Sequence, residues 1–390
     1  MKWKFYSLAF VAGMSILTAC SSDDNNDNDG NGGNGNGNEI ENGTILKGTI
    51  TSDVTLAAGN TYKLSGEYIV EEGATLHIEE GVKIIAVYDD IADYILVKQG
   101  GKINAVGTPD KPIVMTSEKE EPGAWGGIHI CGRAHTNAEG GKGSSEIGGA
   151  VYGGNDDADN SGTLQYIRLE YTGFAFDEEH EANGISFYGV GNGTIVDHCQ
   201  AYKGSDDGFE FFGGSVNVSN LVAVSCSDDS FDWTEGWNGK GTNLVAYQED
   251  KSTLGYDCDC LMECDNNGSN NAATPVPHPV LKNLILVGNG GSKQGIRLRA
   301  GTEVEIDNAK VCGKGQPLTV ETALTENALK NGTSKLTNIT LTSELSSKEG
   351  IYTHADFIAV TSNKVDANLS YSSFEDIKKE CSWMNGNWVK

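Results

Sequence analysis

The stretches "GSDDGFEFFGG" (204–214) and "CSDDSFDW" (226–233) carry the same pattern at an offset of 22 residues. In each, two aspartates and a small residue precede alternating aromatic and acidic positions. A shift by 22 also aligns Phe209 with Phe231 and Phe211 with Trp233. A short strand pattern that recurs with a period in the twenties indicates a stack of coils, in which residues one period apart become neighbours.

A second recurring feature is an asparagine followed by an apolar residue and a short stretch with apolar residues at every second position. It occurs at Asn220, Asn243, Asn283, Asn308 and Asn338, with offsets of 23, 40, 25 and 30. A coil of about 22 residues accommodates three short strands joined by turns. We therefore predict an all-β fold over residues 44–370, a right-handed single-stranded parallel β-helix of roughly ten to twelve rungs.

Two other architectures fit the sequence less well. Only "SFEDIKKEC" (373–381) reads as an amphipathic helix of about two turns, which excludes an α-helical solenoid. An immunoglobulin-like sandwich is the weaker alternative. We expect residues 371–390 to form a C-terminal cap or tail.

The composition describes a strongly acidic chain. The 390 residues carry 28 Lys and Arg against 55 Asp and Glu, a formal net charge of -27. Such an excess of negative charge argues against nucleic acid and against an anionic membrane surface as partners. It favours the collection of divalent cations.

The N-terminal segment resembles a bacterial lipoprotein signal. Two lysines precede a mostly apolar run, Phe5–Thr18, which ends in "LTAC" (17–20). We expect residues 1–19 to be a signal peptide, Cys20 to be acylated, and 20–43 to be a flexible acidic tether rich in Asn and Gly. The predicted location is the outer membrane, facing the cell exterior, with the lipid anchor as the only membrane contact.

Eight cysteines follow Cys20, and the densest cluster is "CDCLMEC" (258–264). An even number of cysteines in an exported chain favours disulfides, although the sequence alone does not choose among their pairings. A zinc site is the less favoured alternative, because no Cys-x-x-Cys pair is present.

Three motifs together resemble a family of secreted Bacteroidota lipoproteins with a pectin-lyase-like β-helix. They are "GAWGGIHICGRAHTN" (123–137), "YGGNDDADNSGTLQYIRLEYTG" (152–173) and "SDDGFEFFGG" (205–214). The resemblance covers roughly residues 44–320. It implies the β-helix and export from the cell, and it implies no settled activity.

The aligned rungs predict an acidic ladder, which is Asp206, Asp207, Glu210, Asp228, Asp229 and Asp232. Glu263 and Asp265 would extend it by one rung, and the loop "DEEHE" adds Asp177, Glu178, Glu179 and Glu181. Carboxylates about 5 Å apart repel one another, and a Ca²⁺ ion, which takes six to eight oxygen ligands, would relieve that repulsion. Proton sharing, or simple solvation of turn residues, are the alternatives.

A polysaccharide lyase would need a cation or acid to neutralise a uronate and a base to remove its α-proton. Lys203, Arg297 and Arg299 are candidates for these roles, and each is explained more simply as an ion-pair partner of the ladder. Asp207 and Glu210 are formal candidates for a glycosidase pair. His198 aligns with Asn220, which indicates a turn or stacking role for it.

Aromatic residues suggest a non-catalytic function. Those that could stack on sugar rings are Trp125, Trp233, Trp237, Tyr188 and Phe212, and the alternative is that Trp125 and Trp233 are core or cap residues of the coil. The function we expect first is glycan or polysaccharide binding in a groove of the β-helix at the cell surface. The alternatives are a calcium-dependent polysaccharide lyase and a structural or adhesive surface protein.

Overall fold

The computed structural model describes residues 38–89, 91–176 and 180–390. The predicted signal peptide, the predicted acylation site Cys20, almost all of the predicted tether and the ladder candidates Asp177, Glu178 and Glu179 lie outside these ranges. Strand pairing begins at Asn38–Ile40, inside the segment predicted to be a tether, because this strand pairs with Val54–Leu56.

Strands dominate the described chain, and 25 of them form a single sheet. In chain order the strands are β1 Asn38–Ile40, β2 Ile45–Ile50, β3 Val54–Leu56, β4 Thr61–Val70, β5 Thr75–Ile78, β6 Lys83–Ala86, β7 Tyr94–Val97, β8 Lys102–Val106, β9 Ile113–Ser117, β10 Ile128–Cys131, β11 Gly143–Ser144, β12 Val151–Tyr152, β13 Gly162–Glu170, β14 Ile185–Tyr188, β15 Ile195–Tyr202, β16 Phe209–Phe212, β17 Asn217–Val224, β18 Phe231–Thr234, β19 Lys240–Tyr247, β20 Met262–Cys264, β21 Val280–Val287, β22 Gln294–Leu298, β23 Glu305–Cys312, β24 Gln316–Val320, β25 Lys335–Leu341, β26 Ser346–Ser347 and β27 Lys364–Val365. All pairings within this sheet are parallel, and only the β11–β12 hairpin is antiparallel among the described strands.

The pairings arrange the sheet as three stacks around one core. The first stack runs through β1, β3, β5, β8, β13, β15, β17, β19, β21, β23, β25 and β27. These twelve strands, one per coil of the described chain, agree with the predicted ten to twelve rungs. The third stack contains β7, β10, β14, β16, β18, β20, β22, β24 and β26. The predicted right-handed parallel β-helix is confirmed.

The second stack runs through β2, β4, β6 and β9 and then through the second half of β13. In the later coils one strand of seven or eight residues contributes to both the first and the second stack, because it bends at its centre. The bend residues, Asn220, Asn243, Asn283, Asn308 and Asn338, all have φ between 55° and 60°. Asparagine tolerates this left-handed conformation better than most residues. The recurring asparagine found in the sequence therefore marks the corner between two faces.

The core consists of inward-facing apolar side chains stacked from coil to coil. Aromatic rings stack over one another in the middle coils, with centroid distances of 5.7 Å for Phe209–Phe231 and 4.1 Å for Phe211–Trp237. Removing a buried side chain of this size from water contributes about 2–3 kcal/mol. The repeat thus stabilises the fold through its inward positions.

Short helices lie outside the coils. They are α1 Lys251–Leu254, α2 Ala323–Asn331, α3 His354–Ala359 and α4 Phe374–Glu380. The C-terminal segment 369–390, which includes α4, packs against the flank formed by β17, β19, β21 and β23, where Met384 and Trp388 are fully buried. Among the described residues, no helix has the length and apolar character needed to cross a membrane.

Candidate functional site

The acidic repeat lies on the outer side of the third stack. Phe209 and Phe211 are buried in the coil, and Glu210 between them points outward because side chains alternate along a strand. The strand registers place Glu210 beside Asp232, and Asp232 beside Glu263. The 22-residue offset correctly predicted the first of these pairs, and Glu263 was expected only as an extension of the ladder by one rung.

The second aspartate of each pair also joins its turn to the next coil. Asp207 Oδ1 accepts a hydrogen bond of 2.8 Å from the backbone N–H of Asp229, and Asp229 Oδ1 accepts one of 2.6 Å from Cys260. The turn is tight, since a Cβ atom on Gly208 would lie 2.6 Å from the carbonyl oxygen of Ser230. These contacts hold the carboxylates at fixed positions.

These side chains line a pocket of about 360 Å³, which we call the acidic pocket. Its lining residues are Glu146, Glu181, Asn183, Asp206, Asp207, Glu210, Asp228, Asp229, Asp232, Asp259, Glu263 and Arg297. Ten of these twelve residues are carboxylic acids, and Arg297 is the one cationic residue among them. So much negative charge around one cavity attracts cations and repels anions.

The pocket raises the pKa values of the carboxyl groups that line it. Loss of hydration, followed by the charge of Asp228, raises the pKa of Asp206 to about 8. Loss of hydration raises the pKa of Glu146 to about 7. The pKa of Asp228 is raised to about 6 by loss of hydration and by the charge of Asp259. The pKa values of Asp207, Glu210, Asp229 and Asp232 are raised well above the usual range, first by burial and then by neighbouring carboxylates. Without a cation, the pocket has to hold protons at neutral pH.

The geometry brings carboxylate oxygens into groups that could hold a metal ion. The three all-carboxylate groups are Asp206 with Asp207 and Asp228, Asp207 with Glu210 and Asp232, and Asp229 with Asp232 and Glu263. In each group the candidate ligand atoms lie within 4.8 Å of one another. A fourth group combines Asp229, Asp259 and the thiol of Cys260, and Lys293 pairs with its Asp259.

Two buried oxygen atoms of the pocket have no hydrogen-bond donor among the described residues. They are Oδ1 of Asn183 and Oδ1 of Asp232. The Asn183 side chain is 1% exposed, and its amide nitrogen donates to Ser186 at 3.0 Å and to Glu210 at 2.5 Å. A buried acceptor without a donor costs about 1–3 kcal/mol, which a bound cation would recover.

Arginines close one end of the ladder. Arg297 is the register partner of Glu263 and contacts Glu263 at 2.8 Å and Glu321 at 3.3 Å. Arg299 contacts Glu263 at 2.7 Å and Asp265 at 2.6 Å. Asp265 therefore pairs with an arginine and is not among the residues that line the pocket.

The three proposed lyase residues are all engaged in ion pairs. Lys203 lies 2.8 Å from Glu249, and the two arginines bind the carboxylates described above. The ion pairs outweigh burial and raise the pKa values of all three groups. A residue held in its cationic form does not accept a proton readily.

The prediction of exposed aromatic residues is wrong for all five candidates. Trp125, Trp233 and Trp237 are each 1% exposed and belong to the coil core. Tyr188 and Phe212 lie on the outer side of the third stack, where they stack on each other at 4.4 Å and are buried in a cluster with residues of the 143–152 hairpin. These rings are not available to a sugar.

The expected disulfides are also absent, since the eight cysteines of the described chain are buried free thiols. Three of them occupy positions in the coils that apolar residues take in a neighbouring coil, so that their thiols pack as apolar side chains. Cys199 pairs in register with Leu221, Cys264 with Leu298, and Cys312 with Val287.

His198 takes the structural role that was predicted for it. It is the bend residue of β15, with φ 52°, and its ring stacks on Tyr166 at 4.4 Å. It is thus a corner residue, at the position that Asn220 occupies in the next coil.

Three lining residues, Asn183, Asp259 and Glu146, were missed by the sequence reasoning. Asn183 and Asp259 occupy the turn positions of Asp207 and Asp228 in neighbouring coils, as the backbone bonds Gly184 N to Asp207 O and Ser230 N to Cys260 O indicate. Extension of the repeat by one coil in each direction would have found both. Glu146 comes from a loop without a repeat signal. Arg297 lines the pocket as an ion-pair partner of the ladder, which is the simpler of the two roles that the sequence suggested for it.

Fold and site together define a parallel β-helix protein with a carboxylate-rich pocket on its flank. A family model described as a pectate-lyase-like β-helix domain matches residues 48–390, so the chain belongs to that family. Comparisons with curated proteins and with solved structures gave no match.

Proposed function

We propose that this protein binds calcium in the acidic pocket and uses the bound ion to hold an anionic polysaccharide against its flank. One observation carries the proposal: in each of three carboxylate groups the candidate ligand oxygens lie within 4.8 Å of one another, in a pocket that is also lined by Asn183 with its buried, unpaired Oδ1. Side chains placed in this way repel one another unless a cation or protons lie between them.

The chemistry of the ligands favours calcium over other common metal ions. The three groups offer only oxygen atoms, which hard cations prefer, and Ca²⁺ accepts six to eight of them in irregular geometry. Zinc prefers nitrogen and sulfur ligands, and magnesium prefers to keep several waters in a strict octahedron. A cavity of about 360 Å³ has room for an ion, its waters and part of a ligand.

The polysaccharide is proposed to be anionic because the protein offers no exposed aromatic surface at the five candidate positions. Recognition of a sugar would then depend on charge. A calcium ion whose coordination is incomplete can accept carboxylate oxygens from a uronate. The same pocket without calcium would repel that ligand.

The lyase alternative has less support. Removal of a proton beside a uronate carboxyl group needs a base, and Arg297 is the candidate that lines the pocket. Glu263 and Glu321 pair with it on two sides and raise its pKa, so that it stays protonated. We therefore assign binding, rather than bond cleavage, to this pocket.

A binding experiment tests the proposal. The purified protein should be retained by a polygalacturonate column in calcium and released by a chelator, and it should pass through a dextran column under both conditions. Its melting temperature should rise by several degrees with calcium, since ligand at a hundred times its Kd adds about 2.7 kcal/mol.

The Asp207→Asn variant should lose both responses, and Asp110→Asn, at an exposed position outside the pocket, should keep them. A melting temperature that is unaffected by calcium and chelator would refute calcium binding. Retention on polygalacturonate in the presence of chelator would refute the role of the ion.

A further inference from the structure

We infer that the acidic pocket holds two cations, an inner and an outer ion, which share the carboxylate of Asp207. This inference rests on the proposed calcium function and goes beyond it in the number of ions and in the role of each. The inner ion would lie on Asp207, Glu210 and Asp232. The outer ion would lie on Asp206, Asp207 and Asp228.

The overlap between the ligand groups is the first argument. Asp207 belongs to both groups, and each group brings its oxygen atoms within 4.8 Å of one another. A carboxylate has two oxygen atoms and can bridge two metal ions, which then lie about 3.5–4 Å apart. Consecutive coils are about 4.8 Å apart, so ligands from two coils suit such a pair.

The charge balance is the second argument. The two groups contain five different carboxylates, Asp206, Asp207, Glu210, Asp228 and Asp232. One divalent ion would leave three of these charges unbalanced in a poorly hydrated pocket, whereas two ions supply four positive charges. No cationic side chain forms an ion pair with any of these five residues in the described chain.

Unpaired buried oxygens support the inner position independently. Oδ1 of Asp232 and Oδ1 of Asn183 are buried without a hydrogen-bond donor, and Asn183 donates its amide to the inner ligand Glu210. An amide carbonyl oxygen is a normal ligand of Ca²⁺. The inner ion would therefore have four protein ligands from three coils.

The third carboxylate group is closed to a cation by the arginines. This group repeats the inner group one coil further on. Asp229 takes the place of Asp207, Asp232 that of Glu210, and Glu263 that of Asp232. Both oxygen atoms of Glu263 pair with guanidinium groups, one with Arg297 at 2.8 Å and one with Arg299 at 2.7 Å. By contrast, Asp207 and Glu210 accept hydrogen bonds only from uncharged donors in the described part of the chain. At the other end, Asn183 and Ser186 replace the carboxylates. The ladder thus leaves room for two ions and not for three.

The two ions differ in their access to solvent. Asp228, a ligand of the outer ion, is exposed, whereas the inner ion lies against the buried Oδ1 atoms of Asn183 and Asp232. The inner ion would stabilise the fold, since its ligands come from three successive coils. The outer ion can keep coordination positions open for a carboxylate of the polysaccharide.

The test counts ions per chain by equilibrium dialysis of the full-length protein against Ca²⁺. We expect two ions in the wild type, one in Glu210→Gln, one in Asp228→Asn, and a loss of both in Asp207→Asn. The matched controls are Glu349→Gln and Asp110→Asn, at exposed positions outside the pocket, which should bind two. Circular dichroism establishes that each variant is folded.

Two further measurements separate the roles of the ions. Asp228→Asn should keep most of the calcium-induced rise in melting temperature and lose retention on polygalacturonate. Glu210→Gln should lose most of that rise. One ion per wild-type chain, with a response to chelator, would overturn the two-ion inference and leave the proposed function standing. Two ions in Asp207→Asn would overturn the bridge, and no bound calcium in the wild type would overturn both.

Discussion

Asp206, Asp228 and Glu146 titrate at unusually high pH because the pocket disfavours their charged forms. Their pKa values of about 8, 6 and 7 lie above the ordinary values of 3.8, 3.8 and 4.5. Between these two sets of values the folded protein holds protons that the unfolded chain has released. Protonation therefore favours folding in that range of pH, and deprotonation opposes it.

The calcium-free protein should accordingly become less stable as the pH rises. For groups with a raised pKa, the stabilisation is complete below pH 4 and is lost as the pH passes through the folded values of about 6 to 8. We expect the melting temperature in chelator to fall by roughly 5 °C between pH 5 and pH 8. Differential scanning calorimetry in chelator measures this change.

Calcium should reduce that fall, because the ion replaces the protons and binds more tightly to deprotonated ligands. Asp110→Asn serves as the control and should behave as the wild type. A melting temperature in chelator that rises steadily from pH 5 to pH 8 would contradict the assignment of raised pKa values to the pocket.

At the scale of the element, the corners between faces are held by side chains as well as by the backbone. Asn243 donates to Asn220 at 2.8 Å, Asn283 to Asn243 at 3.0 Å, and Asn308 to Asn283 at 2.8 Å. Each amide links two coils, and each residue has a positive φ. Asparagine combines both properties, which explains why it recurs at this corner.

Two substitutions at Asn243 should separate these contributions. Asn243→Gly removes the hydrogen bonds to Asn220 and Asn283 and tolerates the φ of 59°, whereas Asn243→Ala removes the bonds and also strains the backbone. We expect alanine to lower the free energy of unfolding by about 1 kcal/mol more than glycine does. Urea denaturation measures the difference, and equal losses would show that the left-handed corner adds no strain.

The sequence predicts coil elements well where they repeat and poorly where they do not. The 22-residue offset correctly pairs Glu210 with Asp232, because residues one coil apart must lie side by side. It carries no information on the loop that covers Tyr188 and Phe212, since the 143–152 hairpin is not part of the repeat. The burial of these rings, and the contribution of Glu146 to the pocket, result from that loop.

The cysteines show that the repeat also predicts better than composition does. Their even number suggested disulfides, although the same 22-residue offset aligns Cys199 with the apolar Leu221. The structure agrees with the alignment: Cys199 lies beside Leu221 and points inward, so that its thiol is surrounded by apolar side chains. The position of Cys199 in the repeat therefore predicted its state better than the even number of cysteines did.

At the scale of the whole molecule, the location of the protein is a proposal that rests on the sequence. We propose that acylation of Cys20 holds the β-helix at the outer membrane. Cys20→Ala should move the protein from the membrane fraction to the soluble fraction after cell lysis, because it removes the acyl attachment, while Ser21→Ala should leave it in place. Immunoblots of the membrane and soluble fractions measure the distribution of the protein. An unchanged distribution for Cys20→Ala would refute the proposal.

The C-terminal segment affects how the coils depend on one another. Coils of a solenoid normally contact only their neighbours, so that such a stack can open from an end, one coil at a time. Here Asn387 bonds to Asp110, 277 positions away, and to Arg168, while Gln200 and Lys390 exchange hydrogen bonds. A clamp along one side therefore ties several coils into one cooperative unit, and the coils that carry the acidic pocket lie within its span.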